Sequence, residues 1–158
     1  MFSELVIIGA GHAGIEAIKA SLNLGVRPCL ITTNIETIGV MSCNPAIGGV
    51  AKGHVVKELD ALSGLMPRIA DESTIQRRIL NASKGAAVQS TRAQCDKRVY
   101  NQKMIAEIIS TQIDIIQGLV TNIEILTNDE KLITLDSGLV VKCRALVLTT
   151  GTFLHGIM

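Results

Sequence analysis

Apolar and polar positions along the chain follow two alternating periods. Residues 5–8 (Leu5 to Ile8) form an unbroken apolar run, as a strand buried on both faces of a parallel sheet requires. Ile15, Ile18 and Leu22 then recur at helical spacing among the small Ala13, Ala17 and Ala20, and Gly25 supplies a stop. A second apolar run spans 28–32, so the opening predicts a strand–helix–strand unit with parallel strands. From Thr33 to about Gly53 no period is visible, and turn formers crowd around one thiol in Met41-Ser42-Cys43-Asn44-Pro45-Ala46-Ile47-Gly48-Gly49. Loops of that length are usually functional. Val56, Leu59 and Leu62 predict a helix that Gly64 ends, and 75–80 predicts a strand, followed by a polar, basic connection through Lys84, Gly85 and Arg92. A further helix is predicted from Asp96, a residue type that caps helices, with Val99, Ala106 and Ile109 on one face and Tyr100 and Ile105 adjoining. Short strands are predicted at 114–117, 120–126, 132–135 and 139–143, joined by turns at Asn128-Asp129 and Asp136-Ser137-Gly138. Residues 145–149 predict a last buried strand, ending in Thr149-Thr150-Gly151.

The string Gly9-Ala10-Gly11-His12-Ala13-Gly14 sits between the first strand and its helix. In this spacing the first glycine allows the tight turn, the second lets the backbone approach a pyrophosphate, and the third lets helix and strand pack closely. The first N–H groups of the helix would face the anion and favour it by roughly 0.3–1 kcal/mol through the helix dipole. His12 enters this reading through its backbone N–H, not as a general base. The acid that usually binds the ribose hydroxyl about 20 residues after the glycines is missing. That region reads Ile31-Thr32-Thr33-Asn34, with no carboxylate until Glu36, so Thr33 or Asn34 would have to make the contact. Lys52 follows Gly48-Gly49 but does not complete a Gly-x-x-x-x-Gly-Lys-Ser/Thr string, which excludes an NTPase phosphate loop.

A length of 158 residues and 47% hydrophobic content suit one α/β domain with a buried sheet. No apolar run approaches the roughly 20 residues that span a bilayer, and no charged leader precedes the first strand, so a cytoplasmic location with no membrane association is the default expectation. Cys29, Cys43, Cys95 and Cys143 are widely spaced and form no Cys-x-x-Cys pair; free thiols and no metal are expected, with Cys29 and Cys143 as small buried hydrophobes. The formal charge of +1 hides an asymmetry, because Lys52 to Lys103 contains ten Lys/Arg against five Asp/Glu. The clusters Arg77-Arg78, Lys84, Arg92 and Lys97-Arg98 suit either a solvated face or the phosphates of a polynucleotide.

The strings GAGHAGIEA, MSCNPAIGG, AKGHVVKELDAL, RILNASKG, STRAQCD and LTTGTFL, in this order, closely resemble the MnmG (GidA) family of tRNA uridine 5-carboxymethylaminomethyl modification enzymes. The resemblance runs over essentially the whole chain and implies an N-terminal fragment, roughly the first quarter of the family's length. The fold it implies is a Rossmann-like FAD-binding domain of the two-dinucleotide-binding-domain flavoprotein type with a small β-meander, here truncated. The activity it implies is FAD-dependent modification of carbon 5 of the wobble uridine in certain tRNAs. Methylenetetrahydrofolate would supply the one-carbon unit, glycine or ammonium the amine, and NADH the reducing equivalents; a GTPase, MnmE, is the implied partner and a homodimer the implied full-length assembly.

By the same resemblance, Gly9, Ala10, Gly11, His12, Ala13 and Gly14 hold the FAD pyrophosphate, Val120 contacts the adenine side, and Gly151 joins the cofactor set. Cys43 is the candidate nucleophile, and Lys84 and Arg92 are candidate tRNA contacts. The string KGAAVQSTR has Ala86 where the family usually has proline and Gln89 where arginine is common. Two other readings are a small-molecule flavin oxidoreductase and a non-catalytic nucleotide-binding remnant. A disulfide reductase would show a Cys-x-x-x-x-Cys pair after the second strand, and Cys43 has no such partner. The isolated chain is expected to be inactive, with an uncovered apolar edge at 145–149 that invites association.

Overall fold

A computed structural model describes residues 1–42, 44–152 and 154. The chain divides into a sheet unit, residues 1–39 with 107–158, and an inserted unit, residues 40–106. In the sheet unit, strand β1 (Phe2–Ile8) leads into helix α1 (His12–Asn23) and strand β2 (Cys29–Thr32). Val6, Ile7 and Ile8 are buried, as are all four residues of β2. Helix α1 packs against β1, burying Gly14, Ile15, Ile18 and Ser21. Its end is a Schellman turn: Val26 N–H donates to Ser21 O, Gly25 N–H to Leu22 O, and Gly25 takes φ +78°.

Strand β6 (Asp114–Gln117) pairs in parallel with β2 and, among the described residues, with no other strand. It is therefore the third parallel strand of the Rossmann-like half and not the start of the meander. The meander proper is β7 (Val120–Thr127), β8 (Glu130–Leu135) and β9 (Val140–Leu148), giving the order β6-β2-β1-β9-β8-β7. The two strands expected at 139–143 and 145–149 are one continuous β9. Its first half pairs antiparallel with β8, and from Lys142 onward it pairs in parallel with β1, with Ile8 opposite Leu148. Pairing with β8 ends at Cys143, so among the described residues Ala145 to Leu148 have a strand neighbour on the β1 side alone. These residues are half-buried or exposed, not fully buried as expected. A core of Val6, Ile8, Cys29, Ile31, Ile133, Leu135, Val141 and Cys143 ties the parallel strands to the meander.

The inserted unit holds a second sheet, β3-β5-β4; β4 answers to the strand expected at 75–80, whereas β3 and β5 lie where a structureless loop and a polar connection were expected. Strand β3 (Ala46–Gly48) and strand β5 (Ser90–Cys95) pair antiparallel, and β4 (Thr74–Leu80) pairs with β5. Neither β3 nor β5 has an apolar alternation; beside Ile47, small residues (Ala46, Ser90, Ala93, Cys95) fill the buried positions. Helix α2 (Lys52–Ala61) half-buries Val56 and Leu59 but leaves Leu62 exposed. Its end is another Schellman turn, with Gly64 N–H on Leu59 O and Ser63 N–H on Asp60 O. The left-handed residue is Ser63 (φ +64°), while Gly64 caps the start of α3 (Leu65–Ser73), a helix without a sequence prediction. Pro67 is tolerated there because N–H groups in a first turn have no intrahelical acceptor.

Helix α4 (Lys97–Ser110) starts where expected, with Asp96 Oδ1 accepting the N–H groups of Arg98 and Val99 at 2.9 Å. Its buried residues are Tyr100, Met104 and Ile108, one helical stripe; Ala106 and Ile109 from the expected face are exposed. The Arg27 guanidinium donates to the carbonyls of Thr111 and Gln112 just past the end of α4, a favourable place for a cation. No described helix is long and apolar enough to cross a membrane.

Candidate functional site

The ends of β1, β2 and β9 converge on the glycine turn. Gly9 N–H donates to Ile31 O at 2.9 Å and Thr149 N–H to Ile8 O at 2.8 Å. The Thr149 hydroxyl lies 2.9 and 3.0 Å from the carbonyls of Ile8 and Gly9 and can donate to either. Gly9 has φ +103°, and a Cβ there would collide with the Thr149 carbonyl; a Cβ on Gly14 would overlap the Gly9 carbonyl and lie 2.8 Å from Thr149 Oγ1. Gly9 and Gly14 are therefore demanded by the fold itself, Gly9 through Thr149, 140 residues away in sequence, and Gly14 chiefly through the Gly9 carbonyl.

Gly11 is different. Its backbone, φ −70° and ψ −179°, is open to any L-residue, and no atom lies within 4 Å of the place its Cβ would occupy. It is also the N-cap of α1, a position where Ser, Thr, Asp or Asn usually satisfies an N–H of the first turn. No side chain caps this helix and its first turn has no acidic residue. A glycine that neither conformation nor packing requires, at an uncapped helix start, leaves room for a ligand to approach the backbone. An anionic ligand would meet both the N–H groups and the positive end of the dipole. His12 and Ala13 occupy the first two helical positions between these glycines, and Ala10 is buried beneath the turn with its carbonyl accepting Gly39 N–H.

At the end of β2, Thr32 is buried while Thr33 is exposed. Asn34 Oδ1 accepts Glu36 N–H at 2.8 Å, capping a short 3-10 turn over Ile35–Thr37. The amide oxygen of Asn34 is thus engaged, and the exposed Thr33 hydroxyl is the freer group for a ribose. Gln117 Oε1 accepts Ile35 N–H, and Gly118 N–H donates to Thr32 O. These bonds, with Gln117 not singled out in the sequence, bring the β6–β7 corner against the end of β2. Val120 follows two residues later, half-buried against the apolar core. Gly151, two residues past Thr149, has φ +60° with open space around it. The sheet unit therefore gathers Gly9 to Gly14, Thr33, Asn34, Val120 and Gly151 around the C-terminal ends of its parallel strands, where ligands of open α/β sheets bind.

The remaining sequence-predicted residues belong to the inserted unit. Cys43 lies outside the described residues. Lys84 is exposed in the β4–β5 connection, and Arg92 is half-buried on β5 opposite Arg78. Gln89 does not face outward as a ligand would; its Nε2 donates to the carbonyls of Lys84 and Ala82 and closes that connection. Lys52 opens α2, its Nζ 3.5 Å from Ala46 O.

Cys29, Cys95 and Cys143 are free and buried. Burial pushes the Cys29 thiol up to about 11, with Asp114 and then Cys143 adding to the effect, and burial also raises Cys143. Neither is a reactive thiolate at neutral pH. No three His, Cys, Asp or Glu side chains among the described residues are grouped to hold a metal ion.

Known proteins share this chain's sequence pattern and fold. The family described as glucose inhibited division protein A matches residues 4–158. Two crystal forms of Aquifex aeolicus GidA are similar at 46% identity, with TM-scores of 0.87 and 0.86; they cover 96% and 95% of this chain and 25% of their own. CtdE in complex with FAD and a substrate matches at 15% identity with a TM-score of 0.65, over 94% of this chain and 38% of its own, which shows a shared fold alone. The chain spans about a quarter of the length of the GidA chains it matches. From the family match along nearly all of its residues, this chain belongs to the GidA family.

Proposed function

We propose that the chain is the FAD-binding portion of a flavoenzyme that modifies carbon 5 of the wobble uridine in tRNA. The observation that carries the cofactor assignment is Gly11, a glycine unexplained by the ligand-free fold at the uncapped start of α1. In this reading the backbone of Gly9 to Gly14 holds the FAD pyrophosphate, Thr33 the ribose, the Val120 segment the adenine side, and Gly151 approaches the cofactor from the end of β9. Bound FAD supplies two-electron redox chemistry.

Family membership supports tRNA as substrate, and the net positive inserted unit is consistent with it, with Lys84 and Arg92 as contacts. Cys43 is assigned the nucleophile's role by its place in the MSCNPAIGG string. A thiolate adding to carbon 6 of uridine makes carbon 5 nucleophilic toward a one-carbon unit, and loss of the carbon 5 proton then expels the thiolate. Methylenetetrahydrofolate as donor, NADH as reductant, MnmE as GTPase partner and a homodimeric assembly complete the reading and rest on the resemblance.

The test is an FAD titration of the full-length protein followed by absorbance, with tRNA modification assayed beside it in a Cys43→Ser variant. Saturable FAD binding with modification lost in the variant supports the proposal. No FAD binding by the unaltered protein would sink the cofactor assignment, and full modification by Cys43→Ser would remove Cys43 from the chemistry.

A further inference from the structure

From Thr74 to Cys95 the β4–β5 hairpin contains Arg77, Arg78, Lys84 and Arg92 and no carboxylate. Strand β4 is the edge of its sheet, and every residue from Ile75 to Ile79 is exposed, so both of its faces meet solvent. The register sets Arg78 directly opposite Arg92. Like charges in that relation repel across roughly 5 Å and destabilise the sheet. Neither guanidinium has an ion-pair partner among the described residues. Arg77, one residue away on the other face, is neutralised by Asp71 at 2.7 Å. Adjacent arginines of one strand thus differ: one is satisfied within the protein, while the other forms an unneutralised pair.

The tip of the hairpin is shaped without its cation. Asn81 Nδ2 donates to Val88 O, Lys84 N–H to Asn81 O, and Gln89 Nε2 to Lys84 O. The Lys84 ammonium stays exposed and without an ion pair among the described residues. Gly85 beside it has φ −59° and ψ 152°, and nothing lies within 4 Å of where a Cβ would sit. As at Gly11, the fold does not require glycine there.

We propose that this hairpin is a docking surface for the sugar-phosphate backbone of RNA, with Arg78 and Arg92 gripping phosphate oxygens and the Lys84-Gly85 tip receiving a further phosphate. The cations are spread along an open strand and its loop instead of converging on one pocket, which suits a row of phosphates and not a single small anion. The identity of the polymer rests on the tRNA reading above, and the location rests on the hairpin.

The experiment measures tRNA binding by the full-length protein across a salt series, comparing Arg78→Gln/Arg92→Gln with Arg77→Gln. Each lost phosphate contact lowers affinity about fivefold at about 0.15 M salt, so the double variant is expected to bind roughly 30-fold more weakly and to lose about two from its log–log salt slope. Arg77→Gln is expected to stay within about twofold, because its partner is Asp71. An FAD spectrum retained in both variants shows that the fold is intact. A second variant, Gly85→Val, is expected to weaken binding without lowering the melting temperature. Unchanged affinity and slope in the double variant overturn the hairpin assignment while leaving the tRNA reading standing; no tRNA binding by the unaltered protein overturns both.

Discussion

Replacing Gly11 with serine separates the needs of the fold from the needs of the ligand, because the two respond with opposite signs. In the ligand-free protein the new Cβ meets no atom within 4 Å and the backbone angles already suit any residue. Serine is a favoured N-cap, able to accept a first-turn N–H that no side chain now satisfies, for a few tenths of a kcal/mol over glycine. Loss of glycine's freedom in the unfolded chain adds about 0.4–1 kcal/mol. For a domain of roughly 150 residues the sum raises the melting temperature by roughly 1–4 °C. Cofactor binding moves the other way, since the side chain would fill the approach to the backbone and its hydroxyl would take an N–H meant for the pyrophosphate. At least a tenfold loss of FAD affinity is expected, about 1.4 kcal/mol. The assay is a thermal melt of the apoprotein paired with an FAD titration of the same variant. A Gly11→Ser protein that binds FAD as tightly as the parent would refute the reasoning, and a clearly lowered melting temperature would show that the fold had required the glycine.

The other expectations follow from neighbouring geometry. Thr149→Val keeps the shape but removes the hydroxyl near the Ile8 and Gly9 carbonyls; a loss of about 1 kcal/mol in a denaturant melt, with weaker FAD binding, is expected, and an unchanged melt would show that the backbone bonds alone hold the turn. Ser63 and Gly25 hold equivalent left-handed positions in two Schellman turns, so Ser63→Gly is expected to stabilise and Gly25→Ala to destabilise, each by about 1 kcal/mol in chemical denaturation; the same sign for both would contradict this. Cys29, protonated more firmly in the folded state, contributes stability that is fully present below its unfolded value of 9.0 and is lost as pH rises toward about 11. Alkaline melts should therefore show a decline over that window that Cys29→Ala lacks, and an identical decline in the variant would assign it to another group.

The legible parts of the fold were those in which sequence-local physics coincides with the final packing. Leu5 to Ile8, the α1 stripe of Ile15 and Ile18, and the Asp96 cap were readable because each is a short-range pattern with one structural solution. Strands β3 and β5, unlike the predicted β4, were not, because Ala46, Ser90, Ala93 and Cys95 are buried by partners distant in sequence and have no apolar alternation of their own. The stripe on α4 shifted for a related reason. Tyr100, Met104 and Ile108 form one face, and Ile109 is an equally apolar neighbour that only tertiary packing leaves outside. At the site, the glycine spacing announced the tight turn but not its cause. Thr149 fixes Gly9 from the far end of the sheet unit, a contact with no local signature, and the Gly9 carbonyl in turn fixes Gly14. The engagement of Asn34 in capping, which leaves Thr33 the freer hydroxyl, likewise emerges only from three-dimensional hydrogen bonding.

The most direct test of the central claim is a crystal structure of the full-length protein with FAD. The account predicts the pyrophosphate at the start of α1, within hydrogen-bond distance of backbone N–H groups between Gly11 and Gly14 and against the hydrogen face of Gly11. FAD bound with its pyrophosphate away from this turn would contradict it.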